Sequence, residues 1–335
     1  MKEIIIPSEY QSSLSIYETQ TAIGFIKRCF EEAMTGSLKL KRVSAPLFVK
    51  QRSGLNDDLS GAERPVTFDV PALYHQSAEV VHSLAKWKRM ALHQYDFHVG
   101  NGLYADMNAI RRDEELDNLH SIYVDQWDWE RVISVEQRTE DYLKATVQGL
   151  VNAIGETASR VKTKYPSIST NINTNVSFIT SQALEDLFPD LTPKEREHAY
   201  VKEHPTTFIM QIGDKLASGQ PHDLRAPDYD DWTLNGDLLF WHEPLQCAME
   251  ISSMGIRVDA TSLVSQLEKS RVMDRLNFEF HAKVVNNELP LTIGGGIGQS
   301  RLCMLLLEKV HIGEVQVSLW DAATLQACKG KVALL

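Results

Sequence analysis

The chain is poor in cysteine and in positive charge, and each shortage excludes something. Its 4 cysteines, Cys29, Cys247, Cys303 and Cys328, stand far apart. No CxxC pair or Cys/His cluster occurs, so neither a disulfide framework nor a zinc site is expected. Against 45 Asp and Glu there are only 34 Lys and Arg, a net charge of −11. An acidic surface repels phosphate backbones, so no nucleic-acid partner is expected. No apolar run approaches the ~20 residues of a membrane span. The apolar stretch in the N-terminal MKEIIIPSEYQSS is too short for a signal peptide. A cytoplasmic protein without membrane contacts is the expectation. Repeats, low-complexity tracts and long Pro/Gly/Ser linkers are also missing, which favours one domain over residues 1–335.

With 43% of its 335 residues apolar, the chain can bury a sizeable core. Amphipathic patterning predicts helices over 8–34, 79–95, 136–164, 181–203 and 261–285. Strands are expected in VSAPLFV, near 103–111 and 121–132, and at 207–212, 237–241 and 246–258. Strands spaced this irregularly favour an α+β fold with a mainly antiparallel sheet flanked by helices over regular βαβ winding.

The most informative segment is PLTIGGGIGQSRLCMLLLEK, Pro290–Lys309. Its glycines do not fit the dinucleotide fingerprint, and the P-loop lysine is missing. As a strand, Leu291–Ser300 puts Thr292, Gly294, Gly296, Gly298 and Ser300 on one face and Ile293, Gly295, Ile297 and Gln299 on the other. A face without side chains admits a ligand or another backbone at close range. Arg301 follows at once and can stack on a ring or pair with phosphate. A flat floor topped by an arginine suits a purine nucleotide; close packing of a helix on a glycine strand explains it equally well.

The pattern G-x-G-x-G-x-x-R before an apolar helix resembles motif 3 of class II aminoacyl-tRNA synthetases. Motif 1, a helix running into a proline-containing strand, is matched by helix 8–34 and VSAPLFV with Pro46. Motif 2 is matched by AIRRDEELDN followed by HSIYVDQWDWE, with Arg111 or Arg112 as its arginine. HSLAKWKR, DQWDWE and EISSMGIR resemble segments of the aspartyl- and asparaginyl-tRNA synthetases. Motif 1 begins within the first fifty residues and motif 3 ends some thirty from the C-terminus, so no anticodon-binding domain is expected. Together with DDLSGAER, RAPDYDDW and LNGD, these blocks resemble the ammonia-dependent asparagine synthetases (aspartate–ammonia ligases) along nearly the whole chain. DYDDW runs into LNGD after a single threonine, where relatives can carry a longer loop.

That resemblance implies ATP-dependent amidation of aspartate through a β-aspartyl-adenylate, with release of AMP and diphosphate. Arg111 and Arg301 are the cations expected at the α-phosphate, with Ser253, Gly294, Gly296 and Gly298 completing the nucleotide site. Glu250 and Asp237 are the implied ligands of Mg2+, an ion that prefers carboxylates and phosphate oxygens. Lys88 and Arg257 would bind the carboxylates of aspartate. Ser83, Gln126 and Asp128 would supply a hydroxyl, an amide and a partner for the ammonium, to which Asp230 is a further candidate. Asp57, with Asp58 as competitor, would take up the proton of ammonium; alone, an Asp–Asp pair before Leu-Ser-Gly reads as a turn. His82 and His120 are read as structural. Free ammonia is the expected donor: Lys2 follows Met1, the first cysteine is Cys29, and no glutaminase domain is visible. A homodimer built on motif 1 is implied. The alternatives are a paralogue that adenylates aspartate for another acceptor and a non-catalytic amino-acid-binding regulator.

Overall fold

A computed structural model describes residues 4–59, Gly61 and 63–335. Lys2, on which part of the nitrogen-donor argument rests, and Ser60 and Ala62 of the DDLSGAER block lie outside the described residues.

The first helix, α1 (Ile16–Leu38), starts later than its apolar pattern suggests because Ser15 and Glu18 form a capping box. Three short strands, β2 (Phe48–Lys50), β3 (Thr67–Val70) and β4 (Gln76–Val80), form a small antiparallel sheet in the order β2-β4-β3. The predicted helix 79–95 thus begins on the last two residues of β4, and α2 is confined to Ala85–Gln94. Pro46 falls between β1 (Leu40–Arg42) and β2, which belong to different sheets.

The main sheet adds β5 (Gly102–Ile110), β6 (Tyr123–Val132), β7 (Ser177–Thr180), β8 (Thr206–Met210), β9 (Asp230–His242), β10 (Cys247–Arg257) and β11 (Thr292–Gly298) to β1. Its order is β1-β5-β6-β11-β10-β9-β8-β7. Among the described residues, only the end pairs β1–β5 and β7–β8 are parallel. Helix α3 covers Glu140–Lys164. The predicted helix 181–203 is interrupted, giving α4 (Ser181–Leu187) and α5 (Pro193–Glu203), the second opened by a Thr192 capping box with proline in its first turn. Likewise 261–285 divides into α6 (Ala260–Lys269) and α7 (Glu279–Val285), separated by a 3-10 turn at Met273–Asn277. The closing helix α8 spans Gln299–Leu306, so Ser300 belongs to it and not to the strand; α9 (Ala322–Cys328) follows.

One face of the sheet holds the core. Ile26 and Phe30 of α1, Val147 and Leu150 of α3, and Leu302 and Leu306 of α8 pack there with Trp127, Trp129, Ile293 and Ile297. Phe30 meets Trp127 with ring centroids 4.7 Å apart. Because strand side chains alternate, Gln126, Asp128 and Glu130 must then face the other way. The site is built on that second face, under α2.

Candidate active site

Register brings the candidates together. Opposite residues of an antiparallel pair share a face. Gly294, Gly296 and Gly298 of β11 lie opposite Glu130, Asp128 and Gln126 of β6. On the other side Gly296 is opposite Ser253, Ser253 opposite Asp237, and Arg257 opposite Asp230. Irregularities between Glu250 and Ser252 and between Gly255 and Arg257 re-aim the β10 side chains at both ends. The glycine face is a floor beneath polar side chains. A Cβ on Gly294 would lie 2.8 Å from Arg257 Nη2, and one on Gly296 would overlap Gln126 Oε1.

Above this floor is a cavity of about 380 Å³. Asp57, Ser83, Lys88, Arg111, Gln126, Asp128, Asp230, Glu250, Ser253, Arg257, Gly296, Gly298 and Arg301 all line it. Gly294 lies beneath Arg257, and Asp237 reaches the site through Ser253. Residues as far apart in sequence as Asp57 and Arg301 therefore meet in one place.

The charges are paired. Arg257, buried, binds Asp230 through Nη1 and Glu130 Oε2 through Nη2 at 3.2 Å. Burial by itself lowers the pKa of such a guanidinium, but Asp230 and then Glu130 outweigh it and raise that of Arg257. Burial also dominates at Asp230, whose carboxyl is held above its ordinary range despite Arg257. Lys88 is fully buried and differs from the expectation of a free substrate cation. Its three donors go to Asp128, to Trp129 O at 2.9 Å and to Gly295 O at 3.3 Å. Burial pushes its pKa down. Asp128, expected to wait for an ammonium, also accepts from Leu84 N at 2.9 Å.

The two open choices separate. Asp57 is buried at the cavity wall, accepting from Ser83 Oγ at 2.8 Å and Leu59 N at 2.8 Å. Asp58 turns away to Arg275 at 2.6 Å. Arg111 lines the cavity while Arg112 is exposed. Arg111 Nε is buried without a hydrogen-bond partner among the described residues, a donor suited to an anion. Arg301 reaches Glu250, with Nη1 3.1 Å from its carbonyl oxygen and 3.9 Å from Oε2. His82 holds the Asp57 carbonyl through Nδ1 at 3.0 Å, and His120 sits 2.8 Å from Asp117.

The metal assignment can be tested on the donors. Ser253 Oγ lies 2.6 Å from Asp237 Oδ1 and 3.1 Å from Glu250 Oε1. Burial, with the charge of Glu250 in support, raises the Asp237 pKa; at Glu250 burial is outweighed by Arg301, Lys194 and Arg225, which hold it low. Two crowded carboxylates and a hydroxyl suit Mg2+, which takes one or two carboxylates and completes its shell with water and phosphate. Among the described residues no group of three or more His, Cys, Asp or Glu side chains is placed to hold a metal ion.

Some participants lie in blocks that carry the resemblance but had no role assigned to them. Arg225, inside the quoted RAPDYDDW, pairs with Asp237 and approaches Ser253 Oγ at 3.2 Å. Tyr229 lines the cavity with Arg257 5.7 Å from its ring centre. Behind them, buried Asp228 is bound by Lys86 at 3.1 Å, Arg275 at 2.8 Å and His281 at 2.9 Å. Glu130, the last residue of DQWDWE, accepts from Thr292 Oγ1 at 2.8 Å as well as from Arg257.

The sheet, its glycine floor and this cavity define a class II synthetase-type catalytic core. Solved structures agree on the fold. The chain superposes on the asparaginyl-tRNA synthetase of Pyrococcus horikoshii complexed with asparaginyl-adenylate with a TM-score of 0.66 at 14% identity, covering 91% of this chain and 70% of that one. For the Entamoeba histolytica asparaginyl-tRNA synthetase with asparaginyl-adenylate the TM-score is 0.64 at 12% identity, covering 90% and 66%. Residues 17–332 match the family model described as aspartate-ammonia ligase. The aspartate–ammonia ligase of Lactobacillus johnsonii is 55% identical over 327 residues, 97% of either chain, and that of Clostridium perfringens 54% over 329, 98% of either. The chain belongs to the aspartate–ammonia ligase family. Among the described residues no helix is long and apolar enough to cross a membrane.

Proposed function

We infer that the chain converts L-aspartate to L-asparagine with ATP and ammonia, as one catalytic unit, releasing AMP and diphosphate. Beyond family membership, one observation carries the reading. Cations and carboxylates converge on a single cavity beside a strand stripped of side chains.

In the first step an oxygen of the aspartate β-carboxylate attacks the α-phosphorus of ATP, and the bond to diphosphate breaks. The nucleotide lies over Gly296 and Gly298, with Arg111 and Arg301 fixed where negative charge accumulates. Losing one such preorganised donor costs about 3 kcal/mol in the barrier. Mg2+ arriving with the nucleotide would be held by Glu250 and Asp237 and would offset phosphate charge. Arg257, kept rigid between Asp230 and Glu130, presents a guanidinium to an aspartate carboxylate. Asp230 and Asp128 offer negative partners to the α-ammonium, while Ser83 and Gln126 orient the side chain. Lys88, its donors engaged, acts by fixing Asp128 and the carbonyl of Gly295.

In the second step ammonia attacks the acyl carbon and the bond to AMP breaks. Asp57 takes the proton the nitrogen sheds. Its contacts to Ser83 and Leu59 hold the carboxylate toward the cavity. The chain works as a homodimer in the cytoplasm; exposed Leu47, Phe48 and Phe68, in and beside motif 1, support a second copy covering that face.

The test is mass spectrometry of products formed from aspartate, ATP and ¹⁵N-ammonium without tRNA. Labelled asparagine and AMP in equal amounts are expected. If neither label in asparagine nor AMP is found, the reading fails.

A further inference from the structure

Resting on the reading of Asp237 and Glu250 as metal ligands, we propose that Arg225 is a positioning residue that occupies the place of the divalent cation until nucleotide arrives. Metal and nucleotide then enter together, and metal does not enter first.

The argument starts from charge. Asp237 and Glu250 bring two negative charges to either side of the Ser253 hydroxyl. Both are already compensated. Arg225 Nη2 pairs with Asp237 and lies 3.2 Å from Ser253 Oγ. Arg301 stands 3.9 Å from Glu250 Oε2. A divalent ion coordinated by Asp237 and Glu250 would sit against the Arg225 guanidinium in a site where that side chain is only 15% exposed. Like charges at such range repel strongly where water is scarce. Either the ion stays out or the guanidinium leaves.

The chain provides a way out. Arg225 lies in the connection between β8 and β9, where no helix or main-sheet strand spans 211–229. On both sides the connection is pinned. His222 Nε2 lies 3.0 Å from Glu197 Oε1 upstream, and Asp228 is held by Lys86, Arg275 and His281 downstream. Between these pins the Leu224 side chain is exposed, and Asp223 accepts from its neighbour Leu224 N at 2.8 Å and lies 3.6 Å from exposed Lys194. Residues 223–225 can shift without disturbing the sheet, while Ala226 O and Pro227 O stay bonded to Trp232 at 3.4 Å and Gln266 at 2.9 Å. A triphosphate entering the cavity offers the guanidinium a better partner, because arginine binds phosphate oxygens in a fork. Taking Arg225 off Asp237 frees that carboxylate for the ion. By linkage, nucleotide and metal must then raise each other's affinity.

The experiment measures Mn2+ binding to the full-length protein by electron spin resonance of free Mn2+, without nucleotide and with a non-hydrolysable ATP analogue. Wild type and Arg225→Lys, which keeps the charge, should bind Mn2+ weakly without nucleotide. Arg225→Gln should bind it at least about tenfold more tightly, as expected when one adjacent positive charge is removed. The gain that the analogue gives should shrink by the same factor in Arg225→Gln. Adding Asp237→Asn should abolish the gained binding. Equal nucleotide-free affinities in wild type and Arg225→Gln would overturn the role of Arg225 while leaving the metal ligands standing. Tight Mn2+ binding by nucleotide-free wild type would do so whatever the variant's folding. No Mn2+ binding in any protein, even with the analogue, would overturn the metal assignment together with the inference.

Discussion

Adding one methyl group to Gly296 separates binding from stability. A Cβ there would overlap Gln126 Oε1 and lie 2.8 Å from Gln126 Cδ, where ordinary contact begins near 3.4 Å. Only the tip of a flexible side chain stands in the way, so the amide can retreat by roughly 1 Å at a rotamer cost of about 1 kcal/mol. Displacing a substrate-positioning group that far can lower the rate about 10²-fold. Gly296→Ala should therefore lose about 10²-fold in kcat/KM for aspartate while its Tm falls by no more than about 4 °C. Gly294→Ala is the contrasting case. Its Cβ would lie 2.6 Å from the Trp129 carbonyl oxygen, backbone of the paired strand, and 2.8 Å from Arg257 Nη2. A ladder carbonyl cannot retreat alone, so overpacking of about 1–3 kcal/mol adds to the loss of activity. At Gly298 the nearest atom is Arg301 Cβ at 3.4 Å, and an alanine should be neutral to stability. Calorimetric melting without ligand, beside steady-state kinetics, reads both quantities. A Gly296→Ala protein that melts as low as Gly294→Ala, with kcat/KM unchanged, would refute the description of the glycine face as a floor for Gln126.

Asp57→Asn should leave aspartate-dependent ATP–pyrophosphate exchange near wild type while asparagine formation drops about 10²-fold, a common size for general-base loss. Exchange falling as far as synthesis would contradict a role in the ammonia step. Arg111→Ala should slow exchange by about 10²–10³-fold, and Arg112→Ala should leave it unchanged, since only Arg111 lines the cavity. Burial lowers His242 to about 4 in the folded chain, against about 6.5 unfolded. The unfolded chain thus takes the proton first as pH falls, and stability should drop between pH 6.5 and 4 by up to about 3 kcal/mol. Urea unfolding across that window should show a shallower pH slope in His242→Gln; identical slopes would remove His242 from the account.

Much of the fold was legible because local chemistry and tertiary context agree. The alternation in DQWDWE is that of a strand with one core face: Trp127 and Trp129 pack in the core, while Asp128 and Glu130 lie on the glycine side. Boundaries failed where capping decides them. Ser15 with Glu18 starts α1 well after residue 8, and Thr192 with Pro193 restarts a helix that periodicity alone would run straight through. The cast of the site was legible from motifs, but its internal pairing was not. Whether Lys88 is free or tied to Asp128 depends on α2 lying over β6, which no window of sequence contains. Arg225 was invisible as a site residue because its partner Asp237 sits on a strand and the arginine on an irregular connection. Likewise, Asp58 reads as well as Asp57 until Arg275 claims it.

The alternation on β6 has a practical consequence. Trp127 and Trp129 are excluded from water, yet each is joined by a single peptide bond to residues whose side chains face the cavity. Indole emission responds to small changes in the local field, so a strand that shifts when ligands enter carries a built-in optical reporter. Substrate and nucleotide arrival can then be timed in a stopped-flow instrument on the unlabelled protein, with no probe placed in the pocket.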